Sequence, residues 1–267
     1  MKPSTCRVLL ILLGATACGG GNPETTPAPA TNLVATPEKL DSLWNEAVAE
    51  FTDRDWRNAG ILFERLMLEL PRRDPRQPMA RLSLGEARLG QKSYLQAVRE
   101  FRRVADEYPN DSLAPVGLLR AGDAYAKLWR RPELDPTYGG QAVATWQELL
   151  TRYPQSAYAD TARTRIAGLN EWYAIKEYKA ASFYMRYKLY DSAILYLKDL
   201  VATYPRTAQA PRAMASLVAA YRKLGYVEDV QEMCTFYRTN YPDAEGLAES
   251  CPAPQVADGG AGAPPGS

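Results

Sequence analysis

Five times along the chain the apolar positions fall in the same arrangement. A small or β-branched residue is followed four positions later by a larger or soft apolar one and twelve positions later by a proline, itself preceded by Tyr or Leu. The series runs Ala59, Phe63, Leu70-Pro71; Ala97, Phe101, Tyr108-Pro109; Ala142, Trp146, Tyr153-Pro154; Ala193, Leu197, Tyr204-Pro205; and Val230, Cys234, Tyr241-Pro242. Spacings of four and then eight put these residues on one face of a helix that ends near the proline. The small residue allows a second helix to come close, the large one fills the gap, and proline cannot continue the hydrogen-bond ladder. The pattern predicts five helical hairpins, each closed by its proline.

The first helix of each hairpin carries marks of its own: Leu84-Gly85-x-Ala87 with Tyr94, Ala121-Gly122-Asp123-Ala124-Tyr125, and Leu217-x3-Tyr221-x3-Gly225. These resemble the Leu-Gly-x-x-Tyr portion of the tetratricopeptide repeat, whose period is about 34 residues. The intervals between the marker prolines are longer, at 38, 45, 51 and 37 residues. Part of the excess in the third unit is a Pro- and Gly-containing insert, Trp129 to Gln141, which reads as a loop. The fourth unit has no breaker from about Ser156 to Lys188, which predicts a helix of roughly 50 Å at 1.5 Å per residue. On it, Trp172, Tyr173, Ala180, Phe183, Tyr184, Tyr187 and Tyr190 share one face, while Ile175, Tyr178 and Met185 lie on the other. Either both faces pack on neighbouring repeats, or the second face, around Glu177, Tyr178, Met185 and Arg186, receives a partner protein.

The ends read differently. Lys2 and Arg7 flank the start of the run Val8 to Leu13, too short to span a bilayer but suited to an export signal. It leads into Gly14-Ala15-Thr16-Ala17-Cys18, which resembles the lipobox of bacterial lipoproteins, with Ala15 where leucine is usual. That resemblance implies acylation of Cys18 as the first mature residue and, with Gly19 following, an outer-membrane destination; plain secretion after Ala17 is the alternative. Residues 18–37 are rich in Gly, Pro and Thr and read as a lipidated flexible tether after a signal peptide over 1–17, and residues 251–267 read as a disordered tail. Residues 38–250 then form an all-α, right-handed superhelical solenoid of five tetratricopeptide-like helical hairpins.

Composition narrows the chemistry. There is no histidine, so the commonest general base, metal ligand and nucleophile partner is missing. Once residues 1–17 are removed, 30 basic residues face 31 acidic ones, which gives no electrostatic case for nucleic acid. Carboxylates such as Asp53, Asp55, Glu245 and Glu249 have no partner implied by spacing, so no catalytic residue, metal site or cofactor is expected. The pairs Arg72-Arg73, Arg102-Arg103 and Arg130-Arg131 read as solvated helix ends or loops. Cys234 takes the place of the large core residue in the last unit, and an oxidising compartment would allow it to pair with Cys251.

Taken in order, these features resemble the BamD/ComL family, the lipoprotein component of the machinery that assembles outer-membrane β-barrels. The most specific stretch is Asp135-Pro136, Trp146-x-x-Leu149-x-x-Arg152-Tyr153-Pro154-x-Ser156-x-Tyr158, Glu177-Tyr178-x4-Phe183-Tyr184 and Tyr204-Pro205-x-Thr207. The resemblance implies that the first two units contact unfolded barrel substrates and that the fourth and fifth dock the POTRA domain of the central barrel protein. It covers about residues 38–242. A periplasmic coordinator of the Tol-Pal system shares Tyr-Pro-x-Ser repeats, but residues 19–37 hold none of its coiled-coil heptads. A solenoid-based hydrolase would need a nucleophile and base that the sequence lacks.

Overall fold

In the computed structural model, residues 36–252 are described, and they form a helical array without strands. The helices are α1 (Pro37–Thr52), α2 (Trp56–Glu69), α3 (Gln77–Gly90), α4 (Tyr94–Glu107), α5 (Ala114–Ala126), α6 (Thr137–Arg152), α7 (Ala159–Arg186), α8 (Tyr190–Thr203), α9 (Gln209–Leu224), α10 (Val227–Asn240) and the single turn α11 (Leu247–Ser250). Each helix packs on its neighbours in the chain, so the array is an all-α tetratricopeptide-type solenoid of five hairpins closed by α11. The export signal, Cys18, the tether as far as residue 35 and the tail from residue 253 lie outside the described residues. Residue 251, assigned to the tail on composition, is instead buried in the folded body.

The five marker prolines each follow the residue that caps a second helix: Leu70, Tyr108, Tyr153, Tyr204 and Tyr241 end α2, α4, α6, α8 and α10. Ala59, Ala97, Ala142 and Ala193 are wholly buried, with Phe63, Phe101, Trp146 and Leu197 beside them in the core. The glycine of the first helix matters for the same contact. A Cβ built on Gly122 would lie 2.2 Å from the indole of Trp146, whose Nε1 donates to the Leu119 carbonyl at 3.1 Å.

The tyrosine beside each proline ties one hairpin to the one before. Tyr153 donates its hydroxyl to the Pro109 carbonyl at 3.1 Å, and Tyr241 to the Pro205 carbonyl at 2.9 Å. At the first joint the partner reached by Tyr108 is Gln77, whose amide in turn donates to the Leu70 and Pro71 carbonyls. These bonds satisfy carbonyls that a helix C-terminus leaves without intrahelical donors. Ion pairs run both within a hairpin and between hairpins. Arg81, nearly buried, reaches Glu100 and Glu107 from α3 to α4, and Arg102 meets Glu148 of the next hairpin. Arg102 therefore joins two repeats, where the sequence suggested a solvated helix end.

The turns inside four hairpins share one device. Arg54, Lys92, Lys188 and Gly225 each take a left-handed backbone with φ between 60° and 79°. Glycine adopts this freely, whereas the three long cations do so at a steric cost.

The insert of the third unit is not a solvated loop over its length. Its last residues, Thr137 to Gln141, already belong to α6, and Trp129 is 2% exposed, among the largest fully buried side chains. Its ring meets Trp172 at 5.5 Å and Tyr173 at 4.7 Å, both on α7. Tyr173 donates to the Pro136 carbonyl, Lys176 to the Leu134 carbonyl, and Lys179 pairs with Glu133. The insert is strapped along α7, which accounts for the length of that helix. At 28 residues, or about 42 Å, α7 falls short of the expected 50 Å because Ser156 to Tyr158 form a turn at one end and left-handed Lys188 stops it at the other.

Candidate partner-binding surfaces

α7, at 28 residues, packs on α6 along its first half and on α8 and α9 along its second. Its first half joins the core of the third hairpin through Ala162, Ile166, Leu169, Trp172 and Tyr173. Its second half joins the last core through Ala174, Tyr178, Ala181, Tyr184 and Met185. Both apolar faces are therefore engaged within the chain for most of their length, and the helix links two cores.

The four residues singled out on the second face are placed as follows. Tyr178 is half-buried, with its hydroxyl 3.2 Å from Ser216 Oγ on α9, and Met185 packs against the same core. Glu177 is half-buried with no cationic partner within ion-pair distance among the described residues. Burial first, and then Asp199, push its carboxyl above the ordinary value, against the pull of Lys176. Arg186 is exposed in the last turn. Glu177, Tyr178 and Met185 thus have their first contacts inside the molecule, and only Arg186 stands free on the surface.

The exposed side of the last turns of α7 carries residues that the helical wheel grouped with Trp172 and Tyr173. Phe183 and Tyr187 are exposed, Tyr187 at 61%, and their rings meet at a tilt with centroids 4.7 Å apart; Phe183 also meets Tyr184, which stacks on Tyr196 of α8. Leu189 and Leu195 extend this surface. The wheel groups residues by angle along the whole helix, whereas Trp172 and Tyr173 meet the insert and Phe183 and Tyr187, farther along, lie beyond it. No sequence signal separates the two pairs, because the cover of the first comes from the insert. At the other end of the array, Ile61 and Leu68 lie seven apart on one face of α2, Leu68 at 86% exposure, with Val48, Met79 and Leu95 also exposed. Two apolar surfaces therefore stand at opposite ends of the solenoid.

The C-terminal end is fastened. Cys234 and Cys251 form a disulfide with their Cα atoms 5.4 Å apart. Arg222 donates to the Ser250 carbonyl, and Arg238 to the carbonyls of Cys251 and Pro252 at 2.9 and 2.8 Å. No group of three or more potential metal ligands is present among the described residues, and no helix there is long and apolar enough to cross a membrane.

A family profile described as "YfiO: Outer membrane lipoprotein" matches residues 37–235, from the first helix into the last hairpin. The chain belongs to this family. Among similar proteins, the outer membrane protein assembly factor BamD of Neisseria meningitidis serogroup A is 26% identical over 222 residues, covering 79% of this chain and 82% of the relative. The protein of the same name from Caulobacter vibrioides is 23% identical over 241 residues, covering 89% and 76%. A solved structure, the TPR2AB-domain:pHSP90 complex of yeast Sti1, overlaps 80% of this chain and 82% of its own at a TM-score of 0.45 and 14% identity. The YfiO match spans the whole of α1 to α9, so the insert that seats on α7 and the exposed aromatic pair near the end of α7 both lie inside the family region.

Proposed function

We propose that this protein is a lipid-anchored periplasmic scaffold of the β-barrel assembly machinery, held on the outer membrane through Cys18 and aiding the insertion and folding of outer-membrane proteins. The observation that carries the reading is the YfiO family match over residues 37–235, laid on a five-hairpin solenoid. The protein is not an enzyme; the relatives bear the names of assembly factors. The apolar surface on α2 and α4 offers a place for unfolded barrel substrates, and the fourth and fifth hairpins, with Arg186 and the exposed Phe183 and Tyr187 of α7 beside Glu177, Tyr178 and Met185, offer one for the POTRA domain of the central barrel protein. Exposed aromatic and arginine side chains at the rim of a packed element are favoured anchors at protein interfaces.

The test is a pull-down of the tagged full-length protein from detergent-solubilised outer membranes, with Cys18→Ala as the control for anchoring. Recovery of a POTRA-containing barrel protein, reduced several-fold by Arg186→Glu with Tyr187→Ala, supports the assignment. Recovery of Tol-Pal or cell-wall synthesis proteins without that barrel overturns it.

A further inference from the structure

Between α5 and α7, above the start of the insert, lies a groove of about 780 Å³, open to solvent and away from both apolar end surfaces. That volume falls in the range of sites that enclose a ligand. Three indoles, Trp129, Trp146 and Trp172, contribute to its lining. Around them stand Arg120, Lys127, Arg130 and Arg165, against a single lining carboxylate, Asp123.

The charges are unevenly committed. Arg120 is held by Glu86 through two bonds and by Asp123 at 3.1 Å, and Arg165 reaches the other oxygen of Asp123 at 3.3 Å. Lys127 and Arg130 are exposed and make no ion pair among the described residues. The groove therefore carries two uncommitted cations beside an apolar lining in which Leu89, Ala126 and Trp172 are half-buried, while Trp129 and Trp146 lie beneath the surface at 2% and 1% exposure. A Cβ added at Gly168, on the opposite wall, would meet nothing within 4 Å, so the space over that wall is empty of side chains.

We propose that this groove binds an extended acidic segment of a partner protein, with carboxylates on Lys127 and Arg130 and intervening apolar side chains against Leu89, Ala126 and Trp172. Arginine and lysine favour carboxylates through charge-assisted hydrogen bonds, and a half-buried indole accepts aliphatic side chains. A nucleic-acid strand is disfavoured because the chain as a whole is near neutral and the groove offers only two uncommitted cations, too few to follow a phosphate backbone. The proposal does not depend on the assembly role, since it concerns a different face from the two end surfaces.

The experiment is tryptophan fluorescence of the full-length protein titrated with an N-acetylated, C-amidated pentapeptide of alternating glutamate and leucine. Its glutamine counterpart and inorganic phosphate serve as comparison probes. Blocking both ends removes any contribution from a terminal carboxylate. The glutamate peptide is expected to bind, with affinity falling as salt rises and about tenfold lower for Lys127→Gln combined with Arg130→Gln, whose side chains hold no other part of the fold. Gly168→Phe, which adds bulk to an empty wall, should abolish binding while circular dichroism and the melting midpoint stay at parent values. Equal binding of the glutamine peptide, a response to phosphate alone, no binding of either peptide, or full binding by both folded variants would each overturn the proposal.

Discussion

Two kinds of joint hold this solenoid together, and they are built on different terms. At the second joint, and again at the last, a tyrosine hydroxyl reaches the preceding proline carbonyl, and at the first joint Gln77 relays the same link. Between the third and fourth hairpins that bond is missing. Tyr204 instead lies parallel to Tyr173 at 5.9 Å, and the insert wedges Trp129 between the hairpins. A repeated joint needs one directional bond because the shapes beside it are already matched, whereas the irregular joint is held by aromatic area and by the insert strapped to α7. The cores reflect this, since α7 gives its first half to one and its second half to the next.

Removing the wedge should have the largest effect. Trp129→Ala is expected to cost about 3–5 kcal/mol and to split a single denaturant transition into two, as the hairpins before and after the joint lose their common anchor. A small, single-transition loss in urea would show that the joint is held by α7 alone. Next, Cys251→Ser is expected to cost about 3 kcal/mol, in line with a bond that closes a short loop, and to act on the last hairpin without touching the irregular joint. Native-state hydrogen exchange would locate the loss: faster exchange confined to α9 to α11 is expected, and a uniform increase would contradict it. In the regular part, Gly122→Ala forces a methyl group into the Trp146 ring and should cost about 1–3 kcal/mol by thermal melting.

The joints themselves are contrasted by a matched pair. Tyr153→Phe deletes a described hydroxyl bond and should lose about 1 kcal/mol, while Tyr204→Phe, whose hydroxyl makes no hydrogen bond among the described residues, should change stability by a few tenths at most. Equal effects in chemical denaturation would remove the distinction drawn here. Smallest and opposite in sign, Lys92→Gly in a regular hairpin and Lys188→Gly at the end of α7 each relieve a left-handed backbone and should raise stability by up to about 1 kcal/mol.

The same contrast explains what could be read from the chain. The hairpin ends were legible because each residue of the motif meets its counterpart in the next copy, so Ala97, Phe101 and Tyr108 do what Ala142, Trp146 and Tyr153 do. Val230 follows the motif yet is only half-buried, because the last hairpin has a neighbour on one side and a single turn on the other. Trp129 was hidden by its surroundings: Pro and Gly mark loop backbone whether or not a side chain within the loop is buried. On α7, periodicity showed two apolar faces but not what covers them. Ser216 and the last core cover Tyr178 and Met185, and nothing among the described residues covers Phe183 and Tyr187, and that assignment depends on contacts far apart in sequence.

A stack of like units has, in principle, no reason to stop, since the face that receives one more copy is remade with each one added. In this molecule the surface of α9 and α10 that would receive a sixth hairpin is occupied by α11, with Cys251 bonded beneath it and two arginines gripping its backbone. The array is thus capped at that end by a covalently held turn in place of a further hairpin.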